Sequence, residues 1–142
     1  EIYRCDWSSD VCSSDLDEDA GESVPGLLVY RPYAPLIFAN ARHVMARIEA
    51  LVDQAEPDLK WLVIDAQAIT DIDTTAGEHL AQLQNELKKR GIRVIFADCP
   101  RPLREQLAKL HHTGLLGQQE FFVSVGKAVQ AFESGHPSGV SP

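Results

Sequence analysis

Between two stretches of helical periodicity the chain carries an unbroken apolar run, Trp61-Leu62-Val63-Ile64. A short strand that is apolar at every position is covered on both faces, which makes it a central strand of a sheet with helices packed against it. Upstream, Ala41, Val44, Met45, Ile48, Leu51, Val52 and Ala55 recur at spacings of three and four, one apolar stripe of a helix. Asn40 stands where an N-cap belongs, and Pro57 stops that helix. Downstream, a second helix is predicted over residues 75–90 with Leu80, Leu83 and Leu87 inward. Lys88, Lys89 and Arg90 complement its negative end, and Gly91 supplies the left-handed stop.

The pattern then repeats. Residues 92–97 read as another buried strand, and residues 102–112 as a third helix with Leu103, Leu107 and Leu110 in line and Gly114 beyond its end. Phe121-Phe122-Val123 is the last strand, and Ser124 caps a final helix through Ala128, Val129 and Phe132. At the other end, Pro25-Gly26 opens the strand Leu27-Leu28-Val29-Tyr30, and Arg31-Pro32-Tyr33-Ala34-Pro35 reads as a turn into a second strand, Leu36-Ile37-Phe38. The order is β-β-α-β-α-β-α-β-α. Strands separated by single helices pair in parallel through right-handed crossovers. The expectation is an α/β domain with a mixed, mainly parallel sheet, an N-terminal β-hairpin and about four helices.

At 142 residues the chain has the length of one domain. Its net charge of −8 is concentrated at the start, where residues 1–23 hold eight acids against Arg4 alone. The remainder carries thirteen acids and twelve bases, a near-neutral body without the clustered basic face that nucleic acid requires. Residues 1–16 have neither helical nor strand periodicity, and Asp10-Val11-Cys12-Ser13-Ser14-Asp15-Leu16 resembles the in-frame translation of a sequencing adapter. That stretch is set aside as foreign and disordered. Residues 17–24 read as an acidic linker, 25–134 as the domain and 135–142 as a flexible tail. The longest apolar runs are strand-sized, far short of the roughly 20 residues of a spanning helix. Sparse cysteines without zinc partners fit a reducing compartment.

The segment best placed for chemistry is Asp65-Ala66-Gln67-Ala68-Ile69-Thr70-Asp71-Ile72-Asp73-Thr74-Thr75-Ala76-Gly77, which joins the central strand to the second helix. Ligands of open α/β sheets bind at that end of the strands. The N–H groups around Thr74, Thr75, Ala76 and Gly77 form an anion-binding helix start. Asp73 or Thr74 acting simply as a helix cap, worth on the order of 1 kcal/mol, ranks ahead of phosphorylation on Thr74 or Thr75. As a cap, Asp73 would tolerate Asn with little loss. A metal held by Asp65, Asp71 and Asp73 ranks last, because the loop lacks further ligands. His111-His112 suits the negative end of the third helix, His43 lies on a solvent side, and Cys99 reads as a packed thiol. There is no Gly-rich phosphate loop, G-x-S-x-G elbow or H-E-x-x-H, so nothing assembles a nucleophile, a base and an orienting group.

The order of elements and Asp73-Thr74-Thr75-Ala76-Gly77 resemble the STAS domain, shared by sulfate-type transporters and anti-sigma factor antagonists. The likeness covers residues 25–132. In the antagonists the equivalent loop carries Asp-Ser-Ser-Gly and is phosphorylated on its first serine, the place Thr74 takes. Here both serines are threonines and the glycine is Ala76. Pro25-Gly26-Leu27-Leu28-Val29-Tyr30-Arg31-Pro32, Pro35-Leu36-Ile37-Phe38-Ala39-Asn40-Ala41 and Ile69-Thr70-Asp71-Ile72-Asp73-Thr74-Thr75-Ala76 look like the C-terminal cytosolic domain of SulP-family transporters. The resemblance implies a STAS-like (anti-sigma factor antagonist-like) fold and a regulatory domain at the cytoplasmic face of the cell membrane, with no enzymatic activity and no cofactor. Its partners would be the transmembrane domain of the same transporter, absent from this sequence, and a nucleotide or cytosolic protein at the loop. Pairing with a second copy stays open. The alternative it implies is a stand-alone antagonist-like protein switched by phosphorylation at Thr74.

Overall fold

The computed structural model describes residues 2–5 by their backbone, and residues 24–32, 35–55 and 58–135 with side chains. Most of residues 1–16, read above as foreign, residues 17–23, Pro57 and the residues beyond Gly135 lie outside the described residues. The elements in chain order are β1 (Ile2–Cys5), β2 (Leu27–Pro32), α1 (Ala41–Gln54), β3 (Trp61–Asp65), α2 (Thr74–Lys89), β4 (Arg93–Ala97), α3 (Arg101–His112), β5 (Glu120–Phe122) and α4 (Val125–Glu133). The α/β class, the parallel crossovers and the four helices are as the apolar patterns require.

The strands lie side by side in the order β1-β2-β3-β4-β5, and every ladder is parallel. The register sets Leu62 opposite both Leu28 and Val94, so β3 has strands on either side. All five residues of β3 are buried, because each face of the sheet is covered. Leu28, Tyr30, Leu62, Ile64 and Phe96 point to the face packed by α1, α2 and α3. Leu27, Val29, Trp61, Val63, Ile95 and Phe122 point to the other, where α4 brings Ala128, Val125, Val129 and Phe132. The Phe132 ring meets Trp61 edge-on at 5.2 Å, and the Arg93 guanidinium lies 5.1 Å from the centre of the Trp61 ring. Burial pushes the Tyr30 phenol up to about 12, opposed in part by the positive charge of Arg47.

The N-terminal hairpin is corrected by the structure. Residues 36–38 form no strand, and Leu36 makes a single parallel bridge to Ile72. The reason lies in where the backbone groups of this segment find partners. Leu36 N–H donates to Asp71 O at 2.9 Å and Leu36 O accepts from Asp73 N–H at 3.1 Å. Asn40 closes the segment on itself, accepting from Ile37 N–H at 3.0 Å and donating to Pro35 O at 2.9 Å. Asn40 stands at the N-cap position without capping α1, since both ends of its side chain are engaged in that turn. The edge of β2 left open by this arrangement is occupied by the backbone of β1, with Ile2 opposite Val29. Part of the leader set aside from the fold thus pairs with the sheet. An open strand edge presents a row of unpaired N–H and C=O groups that any extended segment satisfies.

Candidate functional site

After β3 the chain turns at the carboxyl end of the sheet, where Ala66 N–H donates to Ala97 O at 2.9 Å and the buried Ile69 anchors the loop in the core. This loop brings together the 36–40 turn, the start of α2 and one side of α3.

Asp73 is the N-cap of α2, as the sequence suggests, and its Oδ1 accepts from Ala76 N–H at 2.7 Å. Its second oxygen is also engaged, accepting from Phe38 N–H at 2.7 Å. One carboxylate therefore ends two orphan N–H groups, one at the helix start and one in the turn before α1. The tolerance for Asn expected of a simple cap does not carry over, because an amide has only one acceptor atom to serve both.

Asp71 is held differently. Its Oδ1 accepts from Gln106 Nε2 at 2.5 Å, and Gln106 Oε1 accepts from Ile72 N–H at 3.0 Å, so α3 reads the loop through one amide. Asp65 lies on the α4 side of the sheet and is 1% exposed. Its Oδ2 accepts from Arg31 Nε at 2.6 Å and from Nη2 at 2.5 Å, and its Oδ1 accepts from Gln67 N–H. The three aspartates face three different partners, and among the described residues no three His, Cys, Asp or Glu side chains are grouped to hold a metal ion.

The remaining loop residues divide into open and closed positions. Thr74 and Thr75 are exposed in the first turn of α2, and their N–H groups have no acceptor among the described residues. The ring of Phe38, 72% exposed, lies on the turn that Asp73 ties to the helix start. Ala76 and Gly77 are buried instead. A Cβ on Gly77 would stand 2.8 Å from Leu110 Cδ1, so this glycine serves the contact between α2 and α3 and presents nothing to a ligand.

Elsewhere, burial pushes the Cys99 thiol up to about 11, with Arg104 drawing it part of the way back. That is an inert thiol rather than a nucleophile. His111 Nδ1 donates to Leu116 O at 3.0 Å, which leaves its Nε2 turned outward. The sequence reading missed Arg31 as the partner of Asp65, Gln106 as the partner of Asp71, and the two-sided role of Asp73. A lone acid at the end of an apolar strand, Asp65 after Trp61-Leu62-Val63-Ile64, was the available sign that a cation had to meet it.

Residues 21–128 match the family model of the STAS domain. A probable sulfate transporter of Mycobacterium tuberculosis is 39% identical over 119 residues, which cover 83% of this chain and 21% of the relative. Sulfate transporter 1.3 of Arabidopsis thaliana is 31% identical over 116 residues, covering 76% of this chain and 18% of its own length. Among solved structures, the STAS domain of a SulP transporter from Vibrio cholerae superposes with a TM-score of 0.63 at 20% identity, covering 83% of this chain and 90% of that one. The murine solute carrier 26 family member A9 anion transporter, in its inward-facing state, gives 0.68 at 16% identity over 80% of this chain and 18% of that one. The chain spans about a fifth of the length of the transporters it matches. Among its described residues no helix is long and apolar enough to cross a membrane.

Proposed function

The chain belongs to the STAS domain family, and from that premise we propose that it is the cytosolic regulatory and interaction domain of a SulP-type sulfate or anion transporter. The observation that carries this reading is the 39% identity to a probable sulfate transporter, confined to about a fifth of that relative. On this reading transport belongs to a membrane part encoded in the same gene, and the domain acts by binding rather than by catalysis. The exposed Phe38, Thr74 and Thr75 form the contact surface, held rigid by Asp73 and by the Gln106–Asp71 bond. An exposed ring and two exposed threonines at a positive helix end fit a protein partner with an apolar and an acidic contact.

A DNA read through the source gene upstream of the Asp17 codon tests the proposal. Hydrophobic spanning segments in frame support it and mark residues 1–16 as foreign. A start codon near Val24 with no such segments overturns it in favour of a free-standing STAS protein. The specific support for that second reading is the exposure of Thr74 at the first position of α2. It requires a kinase to modify Thr74 and Thr74→Glu to abolish partner binding, and it fails if neither occurs.

A further inference from the structure

Away from the Asp73 loop, α3 and the segment leading into β5 line an open, cleft-like cavity of about 440 Å³. That volume lies in the range of small-molecule sites, roughly 300–1,000 Å³. We propose that this cavity binds an amphipathic organic anion: a flat apolar body with an acid group at one end and a hydrogen-bond donor at the other.

The floor is apolar, built from Leu107, Ala108 and the half-buried Phe121 ring. At one end Arg101 and Glu105 form their own ion pair at 3.1 Å and cancel in charge. Arg104, half-buried on the same wall, pairs with no carboxylate among the described residues. The net charge of that end is therefore positive, and a guanidinium is the group best suited to hold a carboxylate or sulfonate in a fork. At the other end stands His111. Its Nδ1 must carry the proton given to Leu116 O, because a carbonyl only accepts, so the neutral ring offers Nε2 as an acceptor. Arg104 and His111 are seven residues apart on one helix, about 10 Å along its axis. A ligand that satisfies both is thus elongated, with a hydroxyl or N–H donor about 10 Å from its acid group and an apolar body lying over Ala108 and Phe121. This site shares no residue with the Phe38–Thr74–Thr75 surface and does not depend on the transporter reading.

The probe is 6-hydroxy-2-naphthoate, which is fluorescent and carries acid and hydroxyl at opposite ends of a flat ring system. Titrated into the full chain, it is expected to bind saturably, with amide shifts of Ala108 and Gln119 in a ¹⁵N spectrum. Arg104→Gln should weaken binding at least tenfold while Arg104→Lys retains most of it. His111→Ala should weaken it severalfold, and Lys109→Gln, on the same helix but outside the cavity, should change it less than twofold. The acid-free 2-naphthol should bind at least tenfold more weakly. Absence of saturable binding, shifts confined to other parts of the chain, or equal binding by Arg104→Gln or by 2-naphthol overturns the proposal. Matching circular dichroism melts of the variants show that each loss arises at the site rather than from unfolding.

Discussion

Asp73 accepts a hydrogen bond from the backbone N–H of Phe38, 2.7 Å away and 35 residues distant in the chain, while capping α2 with its other oxygen. Removing this carboxylate strands two N–H groups at once. Asp73→Ala is expected to cost about 2 kcal/mol, more than a lone cap, and Asp73→Asn about 1 kcal/mol because its amide nitrogen would face an N–H. Urea unfolding of the two variants measures both values. Equal stability of Asp73→Asn and the parent would show that the Phe38 contact contributes nothing.

Arg31 and Asp65 form an ion pair in which the acid is 1% and the base 26% exposed. Breaking such a pair from one side leaves a buried charge, so Arg31→Met should destabilise by about 3 kcal/mol. The double variant Arg31→Met, Asp65→Leu should regain most of that loss. A double-mutant cycle in urea tests it, and simple additivity of the two single losses would contradict it.

Tyr30 and Cys99 both hold their protons more tightly in the fold, at about 12 and about 11, than the ordinary values of 10.0 and 9.0. Burial of each neutral group is the larger cause. Below the ordinary values both states are protonated and the contribution is complete. As pH rises past them the unfolded chain ionises first, so stability falls through the window between 9.0 and about 12. Tyr30→Phe should flatten the upper part of that fall, and Cys99→Ala the lower part. Denaturant melts taken across the window report it; parallel profiles for parent and variants would refute the assignment.

Gly26 sits at φ +86°, and a Cβ there would come within 3.1 Å of Phe132 Cζ. Gly91, at φ +76°, has open space around the same position. Both Gly→Ala changes incur left-handed strain of about 1–2 kcal/mol. Only Gly26→Ala also disturbs the Phe132–Trp61 contact, so its melting temperature should drop further than that of Gly91→Ala.

The parts legible in the sequence were those governed by neighbours close in the chain. The three-and-four spacing of Val44, Ile48 and Leu51 gave α1, the run 61–64 gave β3, and Asp73, Ser124 and Gly91 marked helix ends by their own side-chain or backbone chemistry. The misread parts depended on distant partners. Leu36 has the look of a strand, yet its backbone groups pair with Asp71 and Asp73. Asn40 is the exception, misread for a local reason: it has the chemistry of a cap, yet the nearby Pro35 carbonyl and Ile37 N–H claim it. Arg31–Asp65 and Gln106–Asp71 join positions 34 and 35 residues apart, separations that no periodicity encodes.

One face of the sheet is closed by α4, the last of the described elements. During synthesis, Leu27, Val29, Trp61, Val63 and Ile95 are all made well before Val125 emerges. The nascent domain therefore displays an uncovered apolar sheet until α4 leaves the ribosome, and a message broken before the α4 codons yields a protein that chaperones hold and proteases remove.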